Sequence, residues 1–163
     1  MKGKIFAVGD NVDTDVIAPT AYFHLNSLQA LKEHCMEAVY PELYKKVSVG
    51  DVLVAGRNFG CGSSREQAAI VLKELGFGLI LARSFARIFF RNAVNVALPV
   101  GTVTASGKLR DGDIVQYSIK DGRLALSNGE MVQFSRVEGP LKDIFDAGGL
   151  VEFVRKNGGV SSD

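Results

Sequence analysis

A mixed α/β domain is the fold class this sequence predicts, and three observations predict it. Asp51-Val52-Leu53-Val54-Ala55 is a short apolar run of strand character, followed by a glycine-rich loop and by strong helix formers from Gln67 to Leu75. Phe77-Gly78-Leu79-Ile80-Leu81-Ala82 is a second, continuous apolar run, as expected of a strand covered on both faces. Beyond Pro99 the texture changes to short alternating runs divided by Asp121-Gly122 and Asn128-Gly129, the pattern of a small antiparallel meander. Strand, loop, helix and strand make a βαβ-like unit, whose ligand position lies beyond the strand's carboxyl end.

In chain order, Lys4 to Val8 is expected as the first strand. Gly9-Asp10-Asn11 follows as a turn in which Asp10 and Asn11 bond their own backbone. Pro19 to Ser27 carries polar and aromatic residues without periodicity, a loop of the kind that carries specificity. Ser27 to Val39 is predicted helical, with Leu28, Leu31, Cys35 and Val39 on one face and Ser27 as N-cap. Pro41 ends that pattern or starts a new turn, Tyr40 and Tyr44 cover the core edge, and His34 lies on the polar face. Ser84 to Ala93 reads as a short helix with Phe85, Ile88, Phe89 and Asn92 on one side. Arg83, Arg87 and Arg91 then form one basic stripe, open either to solvent or to an acidic partner surface. Ile114–Ile119, Arg123–Leu126 and Met131–Phe134 are the meander strands, and Pro140 to Lys156 is one amphipathic helix, weakened or kinked at Gly148-Gly149. Residues 1–157 are expected as a single domain, with 158–163 as a disordered tail.

With 163 residues the chain is long enough for one domain with its own core. Apolar content of 47% and charged content of 23% fit an ordinary globular protein. A net charge of +1 gives no polyelectrolyte signal, which argues against nucleic acid and anionic membranes as partners. No apolar run reaches the roughly 20 residues of a membrane span, and the start lacks a secretory apolar segment, so the cytoplasm is the expected location. Cys35 and Cys61 alone cannot supply the three or four thiolates of an iron–sulfur site, and no metal site is expected in this chain. Cys61 is either a thiol activated at a helix entrance or a small residue packed under the loop.

The stretch that carries chemistry is Gly56-Arg57-Asn58-Phe59-Gly60-Cys61-Gly62-Ser63-Ser64-Arg65-Glu66, a strand-to-helix loop. The first N–H groups of a helix lack intrahelical acceptors and attract anions. Gly56, Gly60 and Gly62 allow positive φ and close approach to a ligand, and Arg65 offers a planar fork for a carboxylate or phosphate. Ser63 and Glu66 equally fit a capping box, in which both side chains are spent on the helix backbone. Neither Gly-Lys-Ser/Thr nor G-x-G-x-x-G is present, so no known phosphate loop matches. The residues alone leave a small-anion site and a structural cap both open.

That same stretch resembles the signature of the small subunits of the aconitase-type isopropylmalate isomerases. Gly9-Asp10-Asn11-Val12-Asp13-Thr14-Asp15-Val16-Ile17 and Ala82-Arg83-Ser84-Phe85-Ala86-Arg87-Ile88-Phe89-Phe90-Arg91-Asn92 are similar to two further segments of the family, in the same order. The resemblance covers nearly the whole chain. It implies the mobile, swivelling β/β/α domain of the aconitase superfamily, and reversible dehydration of a hydroxy dicarboxylate in leucine biosynthesis. It further implies that Ser63, as an alkoxide, is the base, and that Arg65 clamps a substrate carboxylate with Ser64 and the Gly62 backbone as helpers. Thr14 and Asp15 match a Thr-Asp pair that faces the active site and orients its neighbours.

The stretch beginning at Tyr22 is where the family recognises the substrate's side chain. Isopropylmalate isomerases place an apolar residue two positions after the tyrosine and homoaconitase-type members an arginine; this sequence has His24. A neutral imidazole tolerates an alkyl group, whereas a protonated one favours an extra carboxylate. The resemblance also implies a separate large subunit holding a [4Fe–4S] cluster, without which this chain is inactive. Related hydro-lyases of homoaconitase, citramalate/citraconate or dimethylmalate type are alternatives, as is a non-catalytic anion-binding module on the same fold.

Overall fold

The chain starts in β1 (Lys2–Ala7) and passes through a one-turn helix α1 (Thr14–Ile17) and a 3-10 turn over Thr20–Leu25. Helices α2 (Leu28–Glu33) and α3 (Leu43–Lys46) lead to β2 (Val52–Ala55). Then come α4 (Glu66–Leu75), β3 (Leu79–Ala82), α5 (Arg87–Asn95) and β4 (Val100–Thr102). Strands β5 (Ile114–Ser118), β6 (Arg123–Leu126) and β7 (Met131–Gln133) form the meander, and α6 (Pro140–Asp146) and α7 (Leu150–Asn157) close the chain. These elements belong to a computed structural model that describes residues 1–158.

The seven strands of the described residues lie in one sheet of order β4-β3-β2-β1-β5-β6-β7. The first four are parallel and the meander joins β1 antiparallel, with Gly3 opposite Val115. The two outermost strands also meet: Thr102 bridges Ser135, whose N–H donates to the Thr102 carbonyl at 2.9 Å. The sheet therefore curls, and the meander covers one face of the parallel half while the helices cover the other. Neighbours Ile5 and Phe6 point to opposite faces and are both buried, Ile5 among Val52, Val54, Leu79 and Leu81, Phe6 among Leu53, Ile80 and Leu72. Burial on both sides is why β2 and β3 read as continuous apolar runs rather than as alternation.

The parallel register also brings three loops to one edge. Past the ends of β1 and β2, the Gly56 N–H donates to the Gly9 carbonyl at 3.1 Å, and the Arg83 N–H beyond β3 donates to the Gly56 carbonyl at 2.9 Å. At the opposite end of β2, Asp51 is buried and its carboxylate accepts from the N–H groups of Lys4 at 2.7 Å and Ser48 at 2.8 Å. Asp51→Ala strands both donors and is expected to cost about 2–3 kcal/mol, read from a denaturant midpoint. A loss under about 0.5 kcal/mol would mean that other groups or water satisfy them.

Several boundaries differ from the sequence reading. β1 spans Lys2–Ala7 rather than Lys4 to Val8. The helix expected through Val39 stops at Glu33, because Met36 adopts a left-handed φ of 56° with its side chain fully buried and its N–H bonded to the Val16 carbonyl. Helix α5 begins at Arg87 rather than Ser84, because Phe85 is drawn into a parallel bridge with Phe59. Arg83 thus lies off the helix, and the expected basic stripe shrinks to Arg87 and Arg91. The last helix is two: Gly149, at φ 116°, passes so close to the Asn95 carbonyl that a Cβ would overlap it. Apart from Gly158, the tail expected to be disordered lies outside the described residues.

Candidate active site

The three converging loops are bound to each other more than to themselves. Asp10 Oδ1 accepts from the Arg57 N–H at 2.7 Å, and Asn58 Nδ2 donates to Asn11 Oδ1 at 3.1 Å. Asp10 and Asn11, expected to bond their own backbone, are instead the ties between the first loop and the central one. Gly60 and Gly62 take positive φ, 77° and 93°, with the Phe89 ring under the first and the Asp13 carboxylate under the second where a Cβ would fall. Gly56 does not take positive φ; its missing Cβ makes room for the Asp10 side chain.

Ser63 sits ahead of α4 rather than at its cap. The cap position is Arg65, the helix begins at Glu66, and among the described residues no side chain caps it. The capping box expected from Ser63 and Glu66 does not form, since Glu66 is the first helical residue instead of the third; Ser64 does not replace it. Ser63 is held by its carbonyl, which accepts from Thr14 Oγ1 at 3.0 Å and from the Arg65 N–H at 2.9 Å. Thr14 itself is buried beneath the loop. The Ser63 side chain is exposed, and among the described residues no protein group engages its hydroxyl. Anchoring the backbone while leaving Oγ free suits a group that must meet something outside the chain. Ser64 and Gly62 flank it and are likewise exposed, and Cys61 is half-buried behind them.

Arg65 is aimed by residues of the first loop and of the 3-10 turn. Its Nη1 lies 2.5 Å from Asp15 Oδ1, and its guanidinium carbon lies 5.5 Å from the centre of the Phe23 ring. Asp15 also accepts from the backbone N–H and hydroxyl of Thr20. The Thr20 hydroxyl, then the Arg65 guanidinium, hold the Asp15 carboxyl down to about 2. One edge of the guanidinium is thus pinned, and the remaining N–H groups have no protein acceptor among the described residues. A planar fork presented this way can take a carboxylate. Thr20 and Phe23 carried no sequence signal for these roles; only the fold brings them to Arg65.

Tyr22 and His24 lie in the same 3-10 turn, Tyr22 half-buried and His24 exposed. Behind the turn is a cleft of about 430 Å³ whose lining includes Tyr22, Phe23, Leu28, Leu31 and Ile70. Ser63, Ser64 and Arg65 do not line it; they stand on an open face. Among the described residues no group of three or more His, Cys, Asp or Glu comes together to hold a metal ion, and no helix is long and apolar enough to cross a membrane. Cys35 is buried, which pushes its thiol upward, away from thiolate chemistry.

The aconitase C-terminal domain model matches residues 24–102. The 3-isopropylmalate dehydratase small subunit of Sulfolobus acidocaldarius is 41% identical over 96% of this chain and 98% of that protein. The chain belongs to the 3-isopropylmalate dehydratase small-subunit family of the aconitase superfamily. The methanogen homoaconitase small subunit of Methanothermobacter thermautotrophicus is 43% identical over all of this chain and 96% of that protein. The crystal structure of a 3-isopropylmalate dehydratase from Methanocaldococcus jannaschii superposes with a TM-score of 0.90 at 42% identity, covering 95% of this chain and 93% of that one. The mixed α/β fold expected from the family is the fold found.

Proposed function

We propose that this chain is the small subunit of a 3-isopropylmalate dehydratase and supplies the proton-handling half of its active site. The observation that carries the proposal is the exposed Ser63 hydroxyl beside an Arg65 whose orientation Asp15 holds. Ser63 Oγ takes the proton from the carbon next to a substrate carboxylate, hydroxide leaves the neighbouring carbon, and water returns with the positions exchanged. A carbon acid of this kind needs a strong base close by. Arg65 and the positive, N-terminal end of α4 just beyond the loop carry the sign of charge that favours the anionic form of that base. Arg65 grips a substrate carboxylate, with Ser64 and the Gly62 backbone beside it. Thr14 holds the Ser63 carbonyl from below.

Among the described residues the two cysteines, one of them buried, do not fit the ligand set of an iron–sulfur cluster; on this reading the [4Fe–4S] cluster that the family resemblance implies is held by the large subunit. When bound there it supplies the Lewis acid for the departing hydroxyl. The open face around Ser63 is then the half of the site that closes against that partner, in the cytoplasm.

A homoaconitase-type activity is the second reading, favoured by His24 in the recognition turn and by the methanogen homoaconitase relative. The apolar cleft behind Tyr22 and Phe23 favours an alkyl side chain instead. Anaerobic mixing with the large subunit and a panel of hydroxy acids decides between them, and no turnover of any would refute the proposal. His24→Arg is expected to shift preference towards tricarboxylates by roughly tenfold, and an unchanged profile would remove His24 from substrate selection.

A further inference from the structure

We infer that His34 and Glu37, which lie outside the recognition turn, are positioning residues that set the pose of Tyr22 and, through it, of His24. The inference rests on the reading that this turn meets the substrate. The His34 imidazole lies flat against the Tyr22 phenol, ring centres 3.6 Å apart and planes 6° from parallel. The two stacked rings also share one carboxylate: Tyr22 Oη donates to Glu37 Oε1 at 3.1 Å, while His34 Nδ1 meets Glu37 Oε2 at 2.7 Å. A stack alone lets a ring slide, and a single hydrogen bond alone lets it swing. Together they fix both its place and its rotation.

The clamp is tied to the rest of the site. Met36, between its two members, is fully buried, and its N–H bonds the carbonyl of Val16, the residue after Asp15. His24 stands two residues beyond Tyr22 in a turn closed by the Tyr22 N–H to the Pro19 carbonyl and the Asn26 N–H to the Phe23 carbonyl. Holding the Tyr22 ring therefore tethers the backbone turn from which His24 projects. Burial does not impose the arrangement, since the His34 and Glu37 side chains are 32% and 43% exposed. Contacts that open contribute little to stability, so their consequence is geometric. The hydrogen bond from His34 holds the Glu37 carboxyl below its usual range, in keeping with a carboxylate gripped by the rings it clamps.

The test uses the complex of this chain with its large subunit and compares kcat and KM for 3-isopropylmalate and for a homologous tricarboxylate. His34→Ala and Glu37→Ala are each expected to change the ratio of the two kcat/KM values by roughly fivefold or more, mainly through KM. Both should leave the melting temperature within about 2 °C. The double variant should be no worse than either single one, because both break the same unit. His34→Phe keeps the stack and should recover part of the ratio; Glu37→Gln keeps the shape of the fork and should lose less than Glu37→Ala. An unchanged ratio in both alanine variants overturns the inference. So does a loss shared equally by all substrates together with a fallen melting temperature, which marks a merely structural role. An inactive wild-type complex would instead sink the proposed function, and the inference with it.

Discussion

Ser63→Ala in the reconstituted complex is expected to lower kcat by about 10³-fold or more while KM stays within about threefold. The asymmetry follows from the geometry. The Ser63 carbonyl, which anchors the loop through Thr14 and the Arg65 N–H, is untouched by the substitution, and only the exposed hydroxyl is lost. A hydroxyl that acts chiefly in the transition state costs turnover rather than binding. The measurement is steady-state kinetics paired with substrate binding to the assembled complex. Near-normal turnover would show that the proton goes elsewhere; lost binding with normal assembly would make Ser63 a substrate clamp instead.

Arg65→Lys is expected to lower kcat/KM by about 10²-fold, mostly through KM. Lysine keeps the charge but not the planar fork that lets one edge pair with Asp15 while the other faces outward. It also forfeits the stacking that sets the guanidinium over Phe23. Kinetics within about threefold of wild type would mean that charge alone suffices at this position. The Asp15 pair should not itself titrate in the working range. Its folded value of about 2 is depressed below the ordinary carboxylate value, so its contribution is complete above that ordinary value and is lost only as pH falls through about 2. An acid limb in the activity profile near neutrality must therefore come from another group.

The fold was legible where the chain obeys one local rule at a time. Buried β2 and β3 announce themselves as unbroken apolar runs, and Asp121-Gly122 and Asn128-Gly129 mark the meander turns. Legibility failed where distant packing overrides a local pattern. The spacing of Leu28, Leu31 and Cys35 promised a long helix, but the left-handed Met36 seats its side chain in the core and ends it. Ser63 and Glu66 promised a cap that the observed helix start, two residues beyond Ser64, does not use.

The sequence by itself determined the class of sheet, the loop that presents a serine and an arginine, and through the likeness of its three segments the family. Only the tertiary structure decided which groups those residues answer to. Arg65 is held by Asp15, fifty positions earlier, and Tyr22 by His34 and Glu37. The reason lies in the kind of information each carries. Periodicity records which side of an element faces solvent, whereas the partners of an exposed polar group are set by how the chain returns on itself. The parallel register of β1, β2 and β3 delivers Asp15 and Arg65 to one edge, and the connection from β1 to β2 folds His34 and Glu37 back onto Tyr22.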